Sequence, residues 1–308
     1  MAVSGPRVAV VGGGIAGAAT AYALARGGAD VTVVDGGGPG QATAAGAGIV
    51  QPWSSGAEGP FYDLYAAGAA YYPAFVELLA DSGVTDVGYA VSGSIVVDAD
   101  PARLDDVEAR VRARTADVPA AGSIQRLSPA EAAASFPPLA PGLAAVLVSG
   151  GARVDGRRLR AGLLEAAARH GATVRTGTAR VVADGAPAVV LGDEVLEADA
   201  VVVAAGAWTD ELLAPLGVSV GVEPQRGQIV HLSLPGAGTG GWPSVLPAGP
   251  SYLVAFEDRV VAGATRETGS GFDPRITAGG LHQVLTDALA VAPGLAAATV
   301  LETRVGLR

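Results

Sequence analysis

Gly12-Gly13-Gly14-Ile15-Ala16-Gly17 is a G-x-G-x-x-G hexapeptide, and Asp35 stands 18 residues beyond Gly17. Glycines at this spacing bring a backbone up to a diphosphate: Gly12 permits a tight turn, Gly14 leaves room for the phosphates, and Gly17 lets helix and strand pack closely. The first N–H groups of such a helix, around Ile15 and Ala16, then face the negative charge. A carboxylate at Asp35 is placed to accept hydrogen bonds from an adenosine ribose, and it disfavours a phosphorylated one. The motif does not separate FAD from NAD, because both present the same ADP half. Several other chemistries are excluded. All 20 basic residues are arginine, and there is no Lys, Asn or Cys. Schiff bases, the Walker lysine, thiolate nucleophiles, disulfides, thiolate zinc sites and cysteinyl flavins are therefore unavailable. His170, His231 and His282 lack metal-ligand spacing and read as surface or helix-end residues, so no general base stands out.

The elements around the glycine turn must form a βαβ unit. Arg7 to Val11 is a short strand, Ile15 to Arg26 a helix stopped by Gly27-Gly28, and Val31 to Val34 a second strand. Gly36 to Gly59 reads as loop, and Tyr62 to Ala80 as a helix kinked or divided at Pro73. Val87 to Val97 alternates as a strand and Pro101 to Ala116 as an exposed helix. Ser128-Pro129-Ala130-Glu131 is a capping box. Asp155 caps a second helix running to His170, a strand follows from Ala172 to Thr176, and short strands continue to Leu196. Ala200 to Ala204 is a continuous apolar run, the pattern of a strand covered on both faces. Val222 to Gly263 returns to β patterning with Gly/Pro turns, Thr277 caps a helix to about Ala292, and Thr299 to Gly306 is a last strand.

A chain of 308 residues, 50% hydrophobic, can bury a large core. Its net charge of -10 disfavours nucleic acid and anionic membranes. The apolar run Val8 to Ala25 carries its glycines where a nucleotide turn needs them rather than where a secretory core would, and no other run is long enough to span a bilayer. The absence of disulfides fits a cytoplasmic protein.

Further segments resemble the FAD-dependent amino-acid oxidase family, its glycine-oxidase and D-amino-acid oxidase or dehydrogenase branch, along nearly the whole chain. They are Thr43-Ala-Ala-Gly46, Gly151-Ala-Arg-Val-Asp155, Gly171-Ala-Thr-Val174, Asp199 through Ala205-Gly206-Ala207-Trp208, Gln225-Arg-Gly-Gln228, Tyr252-Leu-Val254, Val261-Ala-Gly-Ala-Thr265 and Gly271-Phe-Asp273. The resemblance implies an α/β fold: a Rossmann-like FAD-binding domain, discontinuous in sequence (residues 1–50 and 148–221), and an antiparallel-sheet α+β substrate domain (51–147 and 222–308). It places Gly12, Gly14, Ile15, Ala16, Gly17, Asp35, Thr43, Gly46, Val181, Ala205, Gly206 and Trp208 at a noncovalent FAD, with the Val181 backbone at the adenine. It places Tyr252 and Arg308 at a substrate carboxylate, where a bidentate guanidinium and a phenol donor orient the Cα hydrogen toward flavin N5.

The implied reaction is oxidation of the C–N bond of glycine or a D-amino acid, with imine hydrolysis to an oxo acid and with oxygen or a quinone as electron acceptor. Departures accompany the match. Asp35 replaces a more usual Glu, and Pro250 lies where some relatives present a side chain to substrate. Arg266, beside the Gly263-Ala264-Thr265 turn, is a candidate to face the site but reads more simply as a solvated arginine. The family pattern continues past the arginine that Arg308 matches, so the C-terminal part of the FAD domain is expected to be absent and the Arg308 anchor to be frayed or self-neutralised. An NAD-dependent dehydrogenase, a sarcosine-type or glycerol-phosphate FAD oxidoreductase, and an inactive nucleotide-binding remnant remain alternatives. Oligomeric state is open.

Overall fold

Val8 and Val10 point one way from their strand and Ala9 and Val11 the other, and this period of two builds the first half of the molecule. The computed structural model describes residues 5–183 and 185–308, so residues 1–4 of the first expected domain lie outside it. Arg7–Val11 is an inner strand of a four-stranded parallel sheet in the order Ala200–Val203, Arg7–Val11, Asp30–Asp35, Thr173–Thr176. Parallel neighbours need crossovers, and helices Ile15–Arg26 and Gly156–Arg169 pack on one face, burying Tyr22, Leu159 and Leu163 against Val8, Val10, Val31 and Val33. On the other face lies an antiparallel meander, Ala179–Val182, Ala188–Leu191 and Glu194–Glu197, whose Val181 and Val189 join Ala9, Val11 and Val34.

A larger sheet of nine strands forms the second half. Its path runs Glu267–Thr268, Gln225–Ser233, Val260–Gly263, Tyr252–Ala255, Ser244–Pro247, Ser94–Asp98, Ala144–Val148, Ile124–Leu127, with Thr299–Leu307 also paired to Gln225–Ser233. It is antiparallel except where Ser244–Pro247 meets Ser94–Asp98. Helix Ala278–Val291 covers one face, with Val284 and Ala288 against Val230, Leu232, Val260 and Ala262. The alternate residues Ile229, Val261, Val254 and Phe256 face the other way and pack against Ala47 and Ile49. A small sheet of Ile49–Val50, Ala152–Arg153 and Ala90–Val91 lies where the chain passes between the two halves.

Four local expectations are corrected. Residues 36–59 are not all loop, since they contain the helical turn Ala42–Ala45 and the strand Ile49–Val50. One helix, Gly59–Asp81, runs through Pro73; the missing N–H forfeits one hydrogen bond in 23 residues, too little to divide it. The stretch from Val87 to Val97 is split by Gly93 into Ala90–Val91 and Ser94–Asp98, which belong to different sheets. Ala200–Val203 is only partly buried, because it is an edge strand of the parallel sheet among the described residues. No described helix is long and apolar enough to cross a membrane.

Candidate active site

The glycine turn is shaped by contacts that a side chain would destroy. Gly12 sits at φ 106°, and a Cβ there would lie 2.2 Å from the Ala204 carbonyl oxygen. A Cβ on Gly17 would come within 1.8 Å of the Gly12 oxygen, so close contact at the helix start depends on its absence. Gly14 is the N-cap of the helix and supplies no side chain, which leaves the first N–H groups to outside acceptors. One is already used: the Ile15 N–H donates to Thr43 Oγ1 at 2.9 Å. The turn after Ala200–Val203 lies alongside, because Ala204 N–H donates to the Val11 carbonyl and Ala205 borders Gly12.

Asp35 closes its strand as a buried carboxylate, 8% exposed. It accepts from the Gly37 N–H at 3.2 Å and from Gln41 Nε2 at 3.0 Å, and it pairs with the Arg160 guanidinium at 2.5 Å. Arg160 also donates to the Gly13 carbonyl. Sequence reasoning missed this arginine, which lies 125 residues from its partner and is brought there only by packing of its helix on Ile15–Arg26. These features fit the ADP half of a dinucleotide: free amides at a helix N-terminus, a backbone without side chains, and a carboxylate beside them.

A cavity of about 290 Å³ opens next to this turn, between residues 42–49 and the large sheet. Its lining includes Ala45, Gly46, Gly48, Ile229, Tyr252 and Arg308. The 42–49 segment is held in place by Thr43 on the glycine turn, by Arg157 Nε donating to the Ala44 carbonyl at 3.0 Å, and by Leu307 N–H donating to the Gly40 carbonyl at 2.8 Å. It thus ties the nucleotide turn to the sheet that carries the two expected substrate residues.

Both of those side chains lie flat over glycines. A Cβ on Gly263 would be 2.6 Å from the Tyr252 ring and hydroxyl, and one on Gly227 would be 2.7 Å from Arg308 Nη2. Gly227 and Gly263 were also missed as site residues; the signal was glycine inside a strand, which marks close approach by another group. Burial pushes the Tyr252 phenol above its usual range despite the nearby Arg308 charge, so it remains a hydrogen-bond donor at neutral pH. Burial, and then the neighbouring Arg266 charge, lower the pKa of Arg308 from its ordinary value. Arg308 is paired rather than loose: its backbone exchanges hydrogen bonds with Gln225 at 2.7 and 3.0 Å, and its guanidinium donates to the Thr265 carbonyl at 2.5 Å.

Behind the sheet, Gln228 explains the Gln225–Gln228 and Thr265 motifs structurally. Its side chain donates to Glu267 at 2.6 Å and Thr277 Oγ1 at 2.9 Å and accepts from the Thr277 N–H at 3.0 Å, fixing the segment whose carbonyl holds Arg308.

The remaining expected residues are spread out. Val181 packs in the meander core, and Trp208 stacks on Phe272 with ring centroids 5.7 Å apart; neither lines the cavity. His231 is corrected from a surface residue to a buried one, 2% exposed, because it faces inward two residues beyond Ile229. Desolvation pushes its pKa down to about 4, and its Nδ1 accepts from Arg259 Nε at 3.1 Å.

A dinucleotide-type turn, joined through residues 42–49 to a cavity lined by Tyr252 and Arg308, fits a cofactor-dependent oxidoreductase. The family model for the FAD dependent oxidoreductases (DAO) matches residues 7–308. An iminodiacetate oxidase from Chelativorans sp. BNC1 superposes with a TM-score of 0.95 at 49% identity, over 98% of this chain and 83% of that one. The glycine oxidase of Geobacillus kaustophilus superposes with a TM-score of 0.84 at 29% identity, over 98% and 83%. In sequence, the uncharacterized oxidoreductase YurR of Bacillus subtilis is 47% identical over 304 residues, 97% of this chain and 82% of that protein. The glycine oxidase of Pseudomonas putida is 32% identical over 314 residues, 98% and 82%. The chain belongs to the DAO family of FAD-dependent oxidoreductases, which replaces the NAD-dehydrogenase alternative.

Proposed function

We propose that the protein oxidises the C–N bond of an amino acid whose carboxylate is held by Arg308 and Tyr252. One observation carries the reading: guanidinium and phenol open into a cavity whose opposite wall, residues 42–49, is hydrogen-bonded to the dinucleotide turn. When bound, FAD supplies at N5 the acceptor for the Cα hydride, leaving an imine that water hydrolyses to an oxo acid and an amine or ammonia. Gly12, Gly14, Ile15, Ala16, Gly17 and Asp35 would hold its ADP half, and Thr43, Gly46, Ala205 and Gly206 would border the rest. Arg308 fixes the substrate by charge-assisted hydrogen bonds, and Tyr252 adds a neutral donor that orients the Cα–H bond. The apolar walls Ala47, Ile49 and Ile229 restrict water around the reacting carbon. Residues 1–50 and 148–221 would form the FAD-binding domain, and residues 51–147 and 222–308 the substrate domain.

Among the substrates compatible with that geometry, likeness to an iminodiacetate oxidase at 49% identity supports an N-substituted glycine over glycine itself. The test is product analysis. The purified flavoprotein is incubated separately with glycine, D-alanine, sarcosine and iminodiacetate, and the oxo acid is trapped as its hydrazone. Glyoxylate from the N-substituted glycines at the highest kcat/KM is expected; no oxo acid from any of them would remove the reading.

A further inference from the structure

Arg160 differs from the other arginines of its helix, Gly156–Arg169. Arg157, Arg158 and Arg169 are half-exposed and reach the Ala44 carbonyl, Asp86 and Glu165. The Arg160 side chain is 30% exposed and points into the nucleotide turn. Its Nε donates to the Gly13 carbonyl and its Nη2 to Asp35 Oδ2, so one edge of the planar guanidinium spans the turn and the carboxylate together. Among the described residues, no other cationic side chain is hydrogen-bonded to residues 12–17 or to Asp35.

Asp35 needs such a partner to receive a ribose. Its Oδ1 accepts from the Gly37 N–H and from Gln41 Nε2, and its Oδ2 from Arg160, which uses three of the roughly four acceptor positions of a carboxylate. Little capacity is left for a pair of hydroxyls, so the placement of the carboxylate decides whether they can reach it. That placement is tight: a Cβ on Gly13 would come within 2.7 Å of Asp35 Oδ2. The Gly13 carbonyl and the carboxylate are both acceptors and would repel each other without the guanidinium they share. Arg160 Nη1 has no partner among the described residues, which leaves donors and a positive charge beside the turn.

We propose that Arg160 is a positioning residue of the cofactor site: it holds Asp35 and the Gly13 carbonyl in the arrangement that receives the ADP half of FAD, and its charge favours the diphosphate. This rests on the reading that Gly12 to Gly17 and Asp35 take that half.

The test is FAD and ADP binding to the full chain stripped of flavin. Kd for FAD is read from the change in flavin fluorescence, and Kd for ADP from its displacement of FAD. The proteins are the native chain, Arg160→Gln, Arg160→Lys, Asp35→Asn, the Asp35→Asn/Arg160→Gln double variant, and Arg158→Gln as the control. In Arg160→Gln both Kd values are expected to rise by a common factor of about 10 to 100, the range of one charge-assisted hydrogen bond. Arg160→Lys keeps the charge but not the planar edge and should recover part of the loss, while Arg158→Gln should bind like the native chain. In the Asp35→Asn background, Arg160→Gln should cost much less, because the group it positions is gone. A helix merely loosened by the substitution would cost the same in both backgrounds, and that result overturns the proposal. So does native affinity in Arg160→Gln, or a loss for FAD that ADP does not share. If Arg160→Gln does not fold, native FAD affinity in Arg160→Lys overturns it instead. Failure of ADP to displace FAD from the native chain, or of Asp35→Asn to weaken binding, removes the underlying reading of the turn and the proposal with it.

Discussion

Substituting Gly263 by alanine should displace the Tyr252 phenol without unfolding the protein. The added Cβ would stand 2.6 Å from the ring and hydroxyl, whereas ordinary contact begins near 3.4 Å and extends to 4 Å, so the ring must retreat by about 0.8 to 1.4 Å. The obstructing atoms are the far end of a side chain that borders an open cavity, so the ring can tilt. The stability loss should stay near the lower end of the ~1–3 kcal/mol typical of overpacking. A shift of that size in a group that orients substrate costs up to about 10²-fold in rate. Gly263→Ala is therefore expected to lower kcat/KM by about 10- to 100-fold while its urea midpoint moves little. The steady-state assay is repeated in a Tyr252→Phe background, where the alanine should have a much smaller effect because the hydroxyl it displaces is gone. Full activity in a folded Gly263→Ala protein, or equal losses in both backgrounds, would refute the placement of Tyr252 at the substrate.

Gly17→Ala, with a Cβ 1.8 Å from the Gly12 oxygen, should abolish FAD retention on gel filtration, because backbone rather than side chain must move. Asp35→Asn removes the carboxylate that pairs with Arg160 and is placed for a ribose; FAD affinity by fluorescence quenching should fall at least about tenfold. Acidification should destabilise the fold through His231. Its folded pKa of about 4 lies below the unfolded value near 6.5, so the unfolded chain takes up a proton first and stability falls as pH drops from about 6.5 toward 4. The effect is at most about 3 kcal/mol, and His231→Leu should flatten that part of a urea-midpoint profile. Gln228→Leu strips partners from Glu267 and Thr277 and should destabilise by about 1–3 kcal/mol in the same assay.

The nucleotide half was legible because its signals are local. Glycine spacing, a β-branched strand on either side and an acidic residue at the second strand's end are all set within Arg7 to Asp35, and the structure keeps each where the pattern puts it. The resemblance supplied Tyr252 and Arg308, which no periodicity distinguishes from ordinary strand residues. What stayed hidden depends on contacts between distant segments. Arg160 reaches Asp35 across 125 residues, and His231 is inward only because of the register of its strand. The edge position of Ala200–Val203 was equally invisible, since an apolar run reads the same at the centre or the edge of a sheet.

The most direct test of the central claim is an anaerobic titration of the purified flavoprotein with an N-substituted glycine, following the visible flavin absorption. The oxidised spectrum is expected to bleach stoichiometrically, and Arg308→Leu, while still yellow, to need far more substrate to bleach. A protein that bleaches equally well with Arg308 replaced would contradict the assignment of the cavity as the site of amino-acid oxidation.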